Sequence, residues 1–203
     1  MQKLTKLQAV NRILRGASEA PVSSLEDSPL NENLMALQLL EEYTLSEQMH
    51  GIAWNQKTRE WTPNPDTNRI LLPQAVLVAE AWGRDVNRTV VEKVDKSDGQ
   101  RYLFDVDEDT YEFDGPINLR TVTGIDWDEL PVAVQFHISD AAAQMYQQIT
   151  QGDRQMDNIL RGVAALSRAK SRSADWRAKR LNQFDDGRSN DPRRAARRVR
   201  RPW

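Results

Sequence analysis

The stretch D-E-L-P-V-A-V-Q-F-H-I-S-D-A-A-A-Q-M-Y-Q-Q-I-T-Q-G, residues 128–152, decides how this 203-residue chain folds. Apolar side chains return along it at helical spacing, which begins after Pro131 and stops at Gly152. The positions that this spacing places on one side are Val134, Ile138, Ala141, Met145 and Ile149. The stretch therefore predicts an amphipathic helix, and its run of alanines allows a second helix to approach closely.

The same spacing marks three further helices, which cover residues 4–16, 28–51 and 153–166. Ser28 and Pro29 are typical of a capped start for the second helix, and Asp153 can cap the fourth. The predicted buried faces are Leu30, Leu34, Leu37, Leu45 and Met49 in the second helix and Met156, Ile159, Leu160, Val163 and Leu166 in the fourth. Two helices thus precede the middle of the chain and two follow it.

The middle of the chain, residues 52–124, consists of short β-rich runs separated by turn residues. Asp98-Gly99 and Asp114-Gly115 supply the positive φ that tight turns need, and Pro73 marks an edge or a break. The candidate strands are Ile52–Gln56, Arg69–Leu72, Gln74–Trp82, Thr89–Val94, Arg101–Asp105, Thr110–Phe113 and Asn118–Thr123. We predict a small, mostly antiparallel sheet inserted between the helices.

The predicted fold class is α+β, a helical bundle of about four helices with an inserted small antiparallel β domain and a basic C-terminal tail. Residues 1–51 are expected to supply the N-terminal helices of the bundle and 125–184 its C-terminal helices. The β-rich insert is expected to cover 52–124, and an extended Arg-rich tail 185–203.

Charge is divided unevenly along the chain. The formal net charge is −2, yet residues 168–203 carry 13 Lys or Arg against 4 Asp, and the remainder carries 15 basic against 26 acidic residues. Such a tail is expected to reach an anionic partner: nucleic acid, an acidic protein surface or the acidic body of a neighbouring copy. The mean hydropathy of −0.71 and the absence of a long apolar run predict no membrane span and no secretory signal, so we expect synthesis in the cytoplasm.

Motifs for catalysis, cofactors or metals are missing from the sequence. There is no cysteine, and no two glycines lie close enough for a phosphate loop. His50 and His137 fall on predicted helices, where a structural role is the more common one. We therefore predict no enzymatic activity, no cofactor and no metal site; a hydrolase using a carboxylate pair is a remote alternative.

The acidic run Asp105, Asp107, Asp109 and Glu112 resembles the start of a calcium loop. Thr110 stands where that loop needs glycine, and Pro116 where it needs a bidentate glutamate. A hairpin turn with its acids pointing outward is the favoured interpretation, and an adventitious cation site the alternative.

Six tryptophans are many for this length, and Trp54, Trp61 and Trp82 fall in the predicted sheet. We expect them in the sheet core, with contact to a partner as the alternative. The tail ends in six arginines and a tryptophan, which combine carboxylate pairing with one apolar anchor. These candidate contact residues are Arg193, Arg194, Arg197, Arg198, Arg200, Arg201 and Trp203. Docking onto protein is favoured over nucleic-acid contact and over a tail that is merely solvated.

Four strings in fixed order resemble the tail tubular protein A family, the head-to-tail adaptors of short-tailed bacteriophages. The resemblance covers about Ala9 to Gly152, so the basic tail lies outside it. The strings are A-V-N-R-I-L at Ala9–Leu14, E-A-P-V-S-S-L at Glu19–Leu25, Y-L-F-D-V-D-E-D-T-Y-E-F at Tyr102–Phe113 and D-E-L-P at Asp128–Pro131.

The resemblance implies a structural subunit of the virion tail with no active site. Family members are expected to form a ring, of twelve copies, between the portal protein and the tail nozzle protein. That ring continues the DNA channel and seals the head, and genomic DNA passes through it to ejection without sequence-specific binding. Contact of the Arg-rich tail with the portal or a neighbouring copy is our own inference, and a nucleic-acid-binding protein acting through that tail is the alternative function.

Overall fold

The computed structural model describes residues 3–25 and 31–185, which form four helices and two small antiparallel sheets. The helices are α1 (Lys6–Gly16), α2 (Asn31–Met49), α3 (Val132–Thr150) and α4 (Arg154–Asp185). The strands are β1 (Gln56–Trp61), β2 (Val76–Ala81), β3 (Val90–Val94), β4 (Arg101–Asp105) and β5 (Ile117–Thr123). The predicted α+β class is confirmed. The Arg-rich tail lies outside the described residues, as do Ser28, Pro29 and Leu30.

Helix α3 is the centre of the helical bundle, because it packs against α1, α2 and α4. Its buried apolar positions recur every four residues, which holds them on one side of the helix. They are Val134, Ile138, Ala142 and Tyr146. The predicted stripe through Ala141, Met145 and Ile149 is wrong in its second half, since Met145 and Ile149 are exposed.

Helix α1 is fixed at both ends. Thr5 and Gln8 form a reciprocal capping box at its start, which satisfies backbone N–H groups that the helix leaves without partners. A side chain at Gly16 would bring its Cβ within 3.1 Å of the Ala143 Cβ. The end of α1 therefore approaches α3 as closely as small residues allow, as the alanine run predicted.

Helix α4 is much longer than its apolar pattern predicts. Asp153 caps its start by accepting hydrogen bonds from the N–H groups of Gln155 and Met156 at 2.7 and 3.2 Å. Its 32 residues span about 48 Å at 1.5 Å per residue. Small side chains at Ala164, Ser167 and Ser171 are its buried residues. Of the predicted face, Met156 and Leu160 are half-buried, and the other three members are exposed: Ile159, Val163 and Leu166.

The segment between α2 and α3, which we call the β insert, contains a second and smaller core. Strands β1 and β2 both pair antiparallel with β5, while β3 and β4 form a separate hairpin. The core residues are Ile70, Leu72, Leu103, Phe113, Ile117 and Leu119. The strands predicted at Arg69–Leu72 and Thr110–Phe113 are wrong as strands, because these segments form isolated bridges only.

The predicted strand Ile52–Gln56 is wrong, because residues 52–55 form a turn and β1 begins at Gln56. Asn55 closes this turn: its side-chain oxygen accepts from the Ile52 N–H at 2.9 Å, and its amide donates to the Gln48 carbonyl at 3.1 Å. Local side-chain hydrogen bonds of this kind compete with strand pairing.

The buried Gln48 joins the bundle to the insert. Its side-chain amide donates to the carbonyl of Ile125 at 2.9 Å and accepts from the Ile125 N–H at 2.7 Å. Next to it, the N–H of Thr123 donates to the carbonyl of Asn55 at 2.8 Å. The chain therefore enters and leaves the insert at one place, which we call the joint (Gln48, Asn55, Thr123 and Ile125).

Candidate assembly surfaces

Each histidine has a structural contact: His137 with a carboxylate of another helix, and His50 with a backbone carbonyl at the end of α2. His137 is buried on α3, with Nε2 3.6 Å from a carboxylate oxygen of Glu47 on α2. The hydrogen bond from His137 lowers the pKa of Glu47. His50 follows α2, and its Nδ1 lies 2.6 Å from the Ser46 carbonyl oxygen. These contacts tie helices together or finish a helix end.

The acidic turn after β4 does not point wholly outward, and for Asp105 the prediction is wrong. Asp105 is 0% exposed and pairs with Arg88, with N···O distances of 2.8 and 2.6 Å. Its other oxygen accepts from the N–H groups of Asp107 and Glu108, so both oxygens have partners within the chain. Asp107 and Asp109 are exposed as predicted. Among the described residues, no three acidic or histidine side chains are grouped to hold a metal ion.

A signal for Asp105 was present in the sequence. Side chains two apart in a strand share a face, so Asp105 lies on the same side as the buried Leu103. A carboxylate at such a position needs a cationic partner, and Arg88 supplies it.

The tryptophans of the insert are placed differently from the prediction. Trp61 is half-buried against the insert core, whereas Trp54 and Trp82 are exposed, so the sheet-core interpretation is wrong for these two. Arg120 stacks over the Trp82 ring at 4.6 Å. The fully packed tryptophan is Trp127, whose indole N–H donates to the Leu4 carbonyl at 2.7 Å in the bundle.

The outer face of α2 carries apolar side chains that the chain leaves exposed. Leu34, Leu45 and Met49 are 53%, 49% and 49% exposed, although the pattern predicted them buried. Leucines occur on all sides of this helix, so apolar spacing cannot tell its inner side from its outer one. Glu41 and Glu42 lie exposed on the same side. We call Leu34, Glu41, Glu42, Leu45 and Met49 the α2 outer face.

A groove runs along α3 beside α4, and its volume is about 580 Å³. Ala133 and Phe136 of α3 and Val163 and Leu166 of α4 form its apolar walls. Cationic side chains stand around it: Lys170, Arg177, and Arg12, which is paired with Asp140 at 2.5 Å. We call this the α4 groove. Leu166 and the nearby Ile159 are 59% and 62% exposed, again against the prediction.

The predicted contact residues of the tail, Arg193 to Trp203, lie outside the described residues, so the structure brings none of them to a site. Their basic character begins earlier, however, within α4. This helix carries eight Lys or Arg against three Asp, whereas α2 carries four Glu and no basic residue. The described helices thus include one strongly acidic and one strongly basic member.

Comparison with known protein families gives a match to the tail tubular protein model over residues 7–181, most of the chain. The chain belongs to the tail tubular protein family. Membership makes it a structural component of a bacteriophage tail, as the four sequence strings implied. The match extends past Gly152, where the sequence resemblance ended, and takes in α4 almost to its end.

Among curated proteins, none matches this tail tubular protein. Within residues 3–25 and 31–185, no helix combines the length and apolar character that crossing a membrane requires.

Proposed function

We propose that this tail tubular protein is the adaptor that forms a ring between the portal protein and the tail nozzle, without catalytic activity. The observation that carries the proposal is the family match, which runs through all four helices and the β insert together. The ring continues the DNA channel below the portal and seals the filled head.

The charge of the chain supports passage of DNA without sequence-specific binding. Residues 1–167 hold 26 acidic against 15 basic residues. An excess of negative charge around a channel repels the phosphates of DNA, so the genome slides through instead of adhering.

The Arg-rich tail is proposed to dock onto an acidic surface of the portal or of a neighbouring adaptor. Arginine pairs with carboxylates through two parallel hydrogen bonds, and Trp203 adds an apolar anchor at the terminus. Removal of residues 188–203 is expected to give heads that lack tails and leak DNA. Removal of Trp203 alone is expected to weaken attachment to the portal and leave affinity for DNA unchanged.

Cryo-electron microscopy of purified particles tests the adaptor role directly. The expected result is density for this chain in a ring on the axis between portal and nozzle. Density elsewhere in the particle contradicts the proposal. The nucleic-acid-binding alternative is favoured by three results together. The chain is absent from the tail, the purified protein shifts DNA in a gel, and removal of residues 188–203 abolishes that shift.

A further inference from the structure

We infer that the α2 outer face of one copy docks into the α4 groove of the next copy, an assignment that rests on the proposed ring. Each surface contains apolar residues that the folded chain leaves exposed, although their spacing is typical of buried helix faces. These residues are Leu34, Leu45 and Met49 on α2 and Val163 and Leu166 beside the groove. Exposed apolar patches rimmed by polar groups mark interaction sites. The occupant that fits the groove is a second copy of this chain.

The two surfaces face in different directions. Phe136 lines the groove, while Ile138 packs into the core shared with α1 and α2. Residues two positions apart on a helix differ by about 200° around its axis, so the groove opens on the side of α3 that faces away from this core. The exposed residues of the α2 outer face also point away from the core, on another helix. One copy can therefore use its groove for one neighbour and its α2 for another. Such a head-to-tail contact, repeated by rotation, closes into a ring.

The surfaces also match in length and shape. From Leu34 to Met49 the α2 outer face extends about 22 Å, and from Ile159 to Arg177 the groove side of α4 extends about 27 Å. Ile159, Val163 and Leu166 follow one another at intervals of four and three residues, which forms a continuous edge along α4. An amphipathic helix lying in an apolar groove is a recurrent mode of protein recognition.

Charge favours this pairing over the pairing of two like surfaces. Glu41 and Glu42 flank the apolar residues of α2, and Lys170 and Arg177 flank those of the groove. Glu41 also lies 4.0 Å from Lys6 of its own chain, in an exposed pair that leaves its other oxygen available, so Glu42 is the less engaged of the two acids. Two α2 helices brought together would oppose acid to acid, and two α4 helices base to base. Complementary charges at the edge of an interface fix the register and suppress wrong partners.

Cysteine cross-linking tests the geometry, because the chain has no cysteine of its own. Two variants are prepared, Leu45→Cys and Leu166→Cys. Tails are assembled from each variant alone and from a mixture of both, and a short bis-maleimide is added to all three samples. The mixture is expected to give cross-linked dimers in at least about tenfold greater yield than either variant alone. The assignment is overturned if a single variant gives as much cross-linked dimer as the mixture, or if the mixed tails give none.

Charge reversal tests the chemistry of the same contact. Lys170→Glu with Arg177→Glu, or Glu41→Lys with Glu42→Lys, is expected to weaken self-association of the full chain about tenfold or more, and combining all four is expected to restore it. The matched control is Arg154→Glu with Arg172→Glu, which changes the charge equally. Arg172 lies two positions from Lys170, on the far side of α4, so this control should leave self-association unchanged.

Three outcomes of the charge test contradict the pairing: failure of the fourfold variant to recover, an equal effect of the control, or loss of DNA binding with self-association intact. The last outcome would assign the groove to nucleic acid. The adaptor role is tested separately, since a chain seen on the portal-to-nozzle axis without the cross-link refutes only the docking. A cross-link in chains that lie away from that axis refutes only the adaptor role.

Discussion

The helical bundle and the β insert are stabilised by different means. Among the described residues, the contiguous core of the bundle contains 16 buried apolar residues and that of the insert contains six, so the insert depends more on other interactions. Around the insert these are ion pairs, such as Arg88 with Asp105 and Arg69 with Asp95 at 2.7 Å. The bundle also has an ion pair, that of Arg12 with Asp140, but it relies more on apolar packing and on buried neutral amides. Gln135, for example, is wholly buried and binds the Leu4 N–H and the Trp127 carbonyl.

The two cores of this chain are therefore expected to differ in how strongly their stability depends on charge. Neutral amides keep their hydrogen bonds at any pH, whereas ion pairs weaken when a carboxylate takes up a proton or when salt screens it. The bundle is therefore expected to tolerate conditions that loosen the insert. Four measurements follow, beginning with the largest expected effect.

Core truncation distinguishes the two regions most strongly. Phe113→Ala removes the largest apolar side chain of the insert core and is expected to cost about 4 kcal/mol. Hydrogen exchange measured by mass spectrometry should show faster exchange in the insert while the helices stay protected. Ile138→Ala, at the centre of the bundle, should instead expose both regions. Uniform loss of protection in Phe113→Ala would show that the chain unfolds as one unit.

Breaking the buried ion pair comes next. Asp105→Asn removes the buried charge opposite Arg88, whose remaining carboxylate partner is Glu108 at 3.5 Å. The loss of the charge-assisted hydrogen bond is expected to lower the free energy of unfolding of the insert by about 2 kcal/mol. Asp109→Asn is the control, because Asp109 is exposed at a positive φ that asparagine also adopts. Denaturant unfolding followed by tryptophan fluorescence measures the free energy of unfolding of both variants. Equal losses in the two variants would contradict a stabilising role of the Arg88–Asp105 pair.

Loss of the joint is expected to lower the free energy of unfolding less than either change above, but to reduce the cooperativity of unfolding more. Gln48→Ala loses both hydrogen bonds to Ile125 and is expected to cost about 1.5 kcal/mol. Because the joint couples the two regions, the insert and the bundle should then unfold at separate denaturant concentrations. Gln38→Ala, on an exposed position of the same helix, should leave a single transition. A single transition in both variants would place the coupling elsewhere.

The smallest effect concerns pH within the bundle. Hydrogen bonds from Gln148 and Gln144 lower the pKa of Asp157 in the first turn of α4 below its ordinary value of 3.8. A lowered folded-state pKa stabilises the fold above the ordinary value, and that contribution is lost as pH falls through the lowered one. As the pH falls from about 5 through and below the ordinary value of 3.8, Asp157→Asn should therefore lose less thermal stability than the unchanged protein. Parallel melting curves would contradict this.

Much of the fold was predictable because helical spacing is a strong signal over long segments. The positions of α1, α3 and the cap at Asp153 follow from it directly. Apolar spacing marks α4 only as far as Leu166, although the C-terminal helices are expected to reach residue 184. Beyond Lys170 its inner side consists of the buried Ser171 and the half-buried Ala174 and Ala178, which carry no apolar period. Strand ends were missed where side chains such as Asn55 bond the backbone locally.

For the candidate surfaces, the sequence predicts which residues share a helix face, but the prediction that these faces are buried is wrong. Leu45 and Leu166 were recognised as members of helix faces and assigned to the interior. Apolar spacing indicates that one face of a helix packs against another surface. It does not indicate whether that surface belongs to the same chain or to another copy. The tail residues Arg193 to Trp203 stay a prediction.

The joint has a consequence for how such a chain can change over generations. Since Asn55 and Thr123 are bonded through their backbones, everything between them forms a loop whose ends already meet. Lengthening a closed loop adds little entropic cost, because closure depends only weakly on loop length. Sequence can thus be gained, lost or exchanged between these two residues while the helices keep their packing. The joint is therefore the place where a graft of a foreign domain with adjacent termini would leave the bundle intact.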